Sequence, residues 1–460
     1  MGFGYFNKFA THAENLCEYI NDINEERMSL LALGSYLILF IYYFIVIFRS
    51  KSFAIQCLVM FFGVYYIFPP IVYFLLVPNT DYLTMSGEII FKSMDLDTPT
   101  IIYINLLCTI FLSLIHLLCS GKVYQSNRSE IDFFVNVDFC KIYRIVSLIL
   151  LLVIGVNLYL IYRVGGFYNF YYGSDWYSRY SGGVIMIIIM NIKSLLPCFG
   201  VALSAILLKT PKYRIRSILM FILFLFLYVY GGSNRKFALI CVFIYFSIAI
   251  DILNIKMARY VFISMIVALF FAFQALLLLR SSDFSIEAIS SAFDTMGEVI
   301  IISEPIGTYS LILSLVGDII RGDLGLGYFF DILKFPLLPF LSLLDFNQPN
   351  VARALGFHIN GNENFTFFPT LILESIYNGG VFFSWLFLIL YSLLCGFVFR
   401  KIQRASNLIS VIYWVVIFNV CFIQLIRGYS SVIIAYYILL TVFFTPAYFY
   451  LRRDSGKKTT

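Results

Sequence analysis

Again and again along this chain, stretches of roughly 20 residues run with scarcely a charged side chain, the length a helix needs to cross the hydrocarbon core of a bilayer. They lie at 28–48, 53–77, 100–119, 145–162, 184–208, 217–231, 237–251, 260–279, 380–399, 407–426 and 432–450. In hydrocarbon every backbone N–H and C=O must find its partner inside the protein, which leaves helices or closed barrels. Long runs without apolar–polar alternation select helices. Only 13% of residues are charged, against about 25% in a soluble domain, and 61% are hydrophobic. The expected fold class is therefore all-α: a polytopic integral membrane protein with about eleven transmembrane helices.

The connections carry the orientation. Lysine and arginine collect in alternate links: RSKS (49–52), the stretch 120–144, KTPKYRIR (209–216), KMAR (256–259), RKIQR (400–404) and the tail RRDSGKK. Basic links face the cytoplasm, so the amino terminus is expected outside and the carboxyl terminus inside. The chain then divides into 1–280, helices one to eight with short links; 281–379, a large outer loop with amphipathic or re-entrant stretches; and 380–460, helices nine to eleven with a cytoplasmic tail. The first residues show no basic segment followed by an apolar run, so the first spanning helix is expected to direct insertion. Pro69–Pro70 and Pro197 are expected to kink their helices, because proline removes a backbone donor.

Several function classes fall away. The net charge of +6 is scattered, without a basic run, which speaks against nucleic-acid binding. No P-loop, GxGxxG after a strand, HExxH or GxSxG is present, so no cofactor is implied, and no acidic cluster marks a metal site. The nine cysteines show no CxxC. Cys57, Cys108, Cys119, Cys198, Cys241, Cys395 and Cys421 sit in apolar runs and read as small buried hydrophobes, leaving Cys17 as the outside thiol.

Four groups of residues carry chemistry. Arg235, Arg280, Arg353 and Arg427 lie on the outer side, against the general charge bias, and arginine's planar fork suits phosphate oxygens. The bland alternative is headgroup contact at helix ends. Glu374 sits in the apolar LILESIYNGG, where a carboxylate is costly unless paired. His358 is the outer-loop histidine. Either is a candidate general base; the alternatives are a plain loop histidine, and a Glu374 that partners Arg280 or Arg427. The loop 165–183 concentrates aromatics, with Tyr171, Tyr172, Trp176 and Tyr177 as candidate sugar platforms or as an interfacial aromatic belt. Lys193, several residues deep in 184–208, faces either a bundle interior or the headgroup layer.

GGSNRKFALI (231–240) and FPTLILESIYNGGVFF (368–383), together with the helix layout and one large late outer loop, resemble bacterial O-antigen polymerases. Some members carry an arginine and a glycine separated by ten residues; here Arg163 and Gly173 fall one short, so no role is carried onto them. The resemblance implies a GT-C-like membrane-embedded glycosyltransferase in the bacterial inner membrane with a periplasmic active face. It implies an undecaprenyl-pyrophosphate-linked glycan as donor and a lipid-linked repeat unit as acceptor, with membrane lipids, a flippase and a chain-length regulator as further partners. Under it the four arginines would bind the leaving pyrophosphate, and Glu374 or His358 would activate the acceptor hydroxyl. An O-antigen ligase shares the layout. A lipid-linked oligosaccharide flippase is the rival from another class, though the uneven 281–379 segment lacks the paired halves such transporters show.

Overall fold

Helices overlie every one of the eleven apolar segments in its described part, because a helix alone can satisfy so long an apolar backbone within itself. The computed structural model describes residues 30–71, 98–121, 137–166, 183–230, 235–266, 304–327, 351–360, 370–405, 407–427 and 430–452. No strand occurs among them. In chain order the helices are α1 (Leu30–Arg49), α2 (Phe53–Tyr66), α3 (Thr98–Leu118), α4 (Phe139–Arg163), α5 (Gly183–Ile206), α6 (Pro211–Tyr230) and α7 (Arg235–Ser247, extended by a wide π turn to Ile252). Then come α8 (258–266), α9 (Glu304–Arg321), α10 (Val351–Asn360), α11 (Leu371–Arg404), α12 (408–427) and α13 (Ser430–Arg452). Six of them, α1 to α5 and α11, are long and apolar enough to cross a membrane, which makes this a membrane protein in character.

α5 is the hub, packing against α4, α6, α7, α12 and α13. Its spanning stretch is 83% buried, whereas that of α1 is 17% buried and offers Leu30, Leu33, Leu37, Ile38 and Ile41 outward. A helix apolar all round yet mostly uncovered needs lipid as its solvent.

The ends of the helices meet as strict up-and-down alternation requires. At the end carrying the basic links, the Asp251 carboxylate closing α7 accepts from Ser52 Oγ at 2.9 Å, Phe53 N–H at 2.8 Å and Ala54 N–H at 3.1 Å. It so caps the first turn of α2, whose own Ser52 makes no side-chain cap bond. Tyr143 and Tyr213, near the starts of α4 and α6, stack there with centroids 5.4 Å apart. At the opposite end the Tyr36 hydroxyl donates to the Ile67 carbonyl, Tyr103 Oη donates to the Val381 carbonyl at 2.7 Å, and Phe237 of α7 packs on Tyr436 of α13 at 5.7 Å.

The prolines divide. α2 is interrupted at Ile67, just before Pro69–Pro70. α5 carries Pro197 inside it and stays helical on both sides of that proline. Pro197 lacks an N–H and so offers nothing to the Lys193 carbonyl four residues back. The real interruption lies elsewhere. α11 is two helices merged across Gly380, whose φ of +61° is the left-handed region that favours glycine. The first piece, 371–379, belongs to the segment read as a loop. So do α9, which packs on α2, α3 and α11, and α10. Much of this connection is thus docked on the bundle, its Tyr309, Ile312, Leu315 and Val316 buried. The seven apolar-run cysteines are buried and unbridged, and Cys140 is exposed; Cys17 lies outside the described residues.

Candidate functional site

The end of the bundle away from the basic links gathers the polar chemistry. It is built around the short helix 371–379, which is pinned at both tips by other elements. Its N-cap Thr370 makes no side-chain cap bond. The orphan N–H of Ile372 donates instead to the Tyr66 hydroxyl of α2 at 3.0 Å. At the other tip, just before the non-helical Gly380, the Tyr377 carbonyl accepts from the Gly327 N–H at 2.9 Å. Any side chain at Gly327 would run into the Tyr377 ring and the Asn378 amide, so only glycine brings that N–H so close. Tyr66 is itself held by ring contacts, tilted on Phe62 at 4.6 Å, while Phe62 stacks on Phe111 of α3 at 5.2 Å.

Glu374 stands on this pinned helix and is wholly buried. Lys193, about 15 Å along α5 from its start by helical rise, is also buried. Both are engaged by neighbours in the folded chain, as charges at that depth must be. Beside Lys193, the Ser194 carbonyl accepts from the Tyr228 hydroxyl of α6, at 2.5 Å, so α5 carries a polar spot in the half of the bundle nearer this end.

His358 is not in a loop. It lies in the last turn of α10, where its Nε2 is 2.9 Å from Asp318 Oδ2 of α9. An ionised carboxylate only accepts, so the bond needs its proton on Nε2, and Nδ1 is the ring nitrogen turned away from Asp318. The other Asp318 oxygen receives Arg321 Nη2 at 2.5 Å, and Arg321 Nε bonds Asp323 at 3.2 Å. The Asp323 and Asp318 carboxylates hold the Arg321 guanidinium above its ordinary value. This cluster reaches solvent: 29% of the His358 side chain and 59% of Arg321 are open. The asymmetry is chemical. Glu374 is sealed, whereas the His358 imidazole is oriented by Asp318 and reachable.

Of the sequence candidates, Arg235 is the first residue of α7, Arg353 lies in the first turn of α10 and Arg427 is the last residue of α12. Helix direction puts Arg235 and Arg427 at the same end as Glu374, and the last turn of α12 packs on α2 and α11. Arg280, Tyr171, Tyr172, Trp176 and Tyr177 lie outside the described residues. The reading from sequence missed Asp318, although GTYSLILSLVGDIIRG stood out as amphipathic; its aspartate and arginine three residues on share one helix face. It also missed Tyr66, whose tyrosine is one of 34 and carries no local signal.

No protein-family model, curated protein or solved structure matches the chain. Function is therefore argued from the chemistry at this end of the bundle.

Proposed function

We propose that the chain is an O-antigen polymerase, joining lipid-linked oligosaccharide repeat units at the non-cytoplasmic face of the bacterial inner membrane through eleven helical crossings. The observation that carries the mechanism is His358 oriented by Asp318, at the end of the bundle where Arg235 and Arg427 also terminate their helices. In this reading the donor is a growing glycan on undecaprenyl pyrophosphate. An acceptor sugar hydroxyl attacks the anomeric carbon while its proton passes to His358 Nδ1. A new C–O bond forms, the bond from the anomeric carbon to the phosphate oxygen breaks, and undecaprenyl pyrophosphate leaves with the electron pair. The charge that develops is carried by a lipid pyrophosphate, which fixed arginines stabilise; Arg235, Arg280, Arg353 and Arg427 take that role. Glu374, sealed in the protein, holds the pinned helix 371–379 in place rather than meeting the sugar. The aromatic loop 165–183 guides the glycan.

One observation favours a second reading. His358 lies in a helix ahead of a spanning helix that follows the long connection, the position a ligase histidine takes in the resembling family. Deleting the gene in its host and running lipopolysaccharide on a gel separates them. Core plus a single repeat unit is the polymerase outcome. Bare core with lipid-linked polymer accumulating is the ligase outcome, and repeat units trapped on the cytoplasmic face would sink both in favour of a flippase.

A further inference from the structure

At the opposite, basic end, α4 and α6 meet in an arrangement that the reaction does not use. We propose that this junction is a binding site for the phosphodiester headgroup of an anionic glycerophospholipid in the adjoining leaflet.

Three observations converge there. The first is a fixed cation. Arg216 lies over the stacked rings of Tyr143 and Tyr213, its guanidinium carbon 5.3 Å from one centroid and 5.9 Å from the other, and Lys212 Nζ is 5.6 Å from the Tyr213 ring. A guanidinium resting on two aromatic faces keeps its plane while its N–H edge stays open to oxygens. The second is charge balance. Arg144, Lys212, Arg214 and Arg216 are exposed around this stack. Among the described residues the nearby carboxylate is Asp138, which is directed at the first turn of α4, accepting from the N–H groups of Cys140 at 3.0 Å and Lys141 at 3.2 Å. The third is what lies beneath. Arg144 heads an exposed stripe with Leu148 and Leu151, and Arg216 heads another with Leu219 and Leu223. These spacings of three, four and seven residues put each cation above its own apolar row. Cations over aromatics over paired greasy rows match a headgroup, glycerol backbone and acyl chains in that order. A free phosphate ion would use only the top layer.

The test uses the purified full-length protein and native mass spectrometry with phosphatidylglycerol, phosphatidylcholine or inorganic phosphate added separately. Retained phosphatidylglycerol is expected to fall about fivefold for each of Arg144→Gln and Arg216→Gln, and Arg216→Lys is expected to lose part of it by losing the planar stack. Two controls, Arg49→Gln and Lys51→Gln, each remove one charge at the same end of the bundle and are each expected to leave retention within twofold. All four side chains are exposed, and a melting temperature for each variant checks that it folds. Equal loss in the two controls would reduce the effect to diffuse charge and overturn the site. Equal retention of phosphatidylcholine, or displacement of the lipid by millimolar phosphate, would overturn the ligand class.

Discussion

Two carboxylates at one end of this bundle, Glu374 and Asp318, tell opposite stories. Glu374 is sealed inside the helix 371–379, whose tips are tied by Tyr66 and Gly327. Asp318 sits at the rim of α9, shared between Arg321 and His358, with solvent at hand. A buried charge is expensive to lose because its partners stay behind, unpaired in low dielectric. A solvated pair is worth little to stability, and under the proposed function it is this pair that would meet the acceptor hydroxyl. The sealed carboxylate is thus expected to matter to folding, and the open pair to chemistry.

The comparison is easiest to break at Glu374. Glu374→Ala is expected to cost about 3 to 5 kcal/mol, read as a lower melting temperature or loss of the monodisperse peak in fluorescence-detected size exclusion. A variant that melts within two degrees of the parent would show that the buried carboxylate supports nothing. Next comes Tyr66→Phe, which keeps the ring contacts and deletes the acceptor for the Ile372 N–H. An unsatisfied buried donor costs about 1 to 3 kcal/mol, and unchanged stability would mean the helix tip is held some other way. Gly380→Ala forces a side chain into the left-handed region against Leu326 Cδ1, 3.3 Å from the new methyl. About 1 to 2 kcal/mol is expected, with larger loss of polymer than Tyr66→Phe if the break positions the spanning part of α11.

The smallest effect on stability sharpens the other side. His358→Ala and Asp318→Asn are each expected to change stability by less than about 1 kcal/mol. Yet His358→Ala should cut polymerisation by about 10²-fold or more, and Asp318→Asn by less, since it removes orientation and leaves the base. Normal lipopolysaccharide ladders from His358→Ala at parental expression would remove the histidine from the mechanism. If instead both variants melt early and polymerise normally, the pair is a strut between α9 and α10.

Much of the fold is legible in the residues because each spanning helix is a local object: its length and apolarity suffice to mark it, as in 145–162 and 100–119. Lys193 stood out for the same reason, a charge inside an apolar run. The candidate site was legible only in part. Glu374 announced itself, while its sealing did not, since burial depends on α2 and on the far-off Gly327 closing over 371–379. His358 looked like a loop residue because its polar neighbours hid the helix that carries it to Asp318 of α9.

Sequence by itself determined the membrane character of the chain and where its long apolar helices run, because backbone hydrogen bonding and the cost of burying charge act residue by residue along the chain. Tertiary structure decided which charge is sealed and which is open, that Pro197 leaves α5 unbroken while Gly380 divides α11, and that Asp318 meets His358 from 40 residues away. Those outcomes rest on partners brought together only when the helices pack, and no local pattern records them.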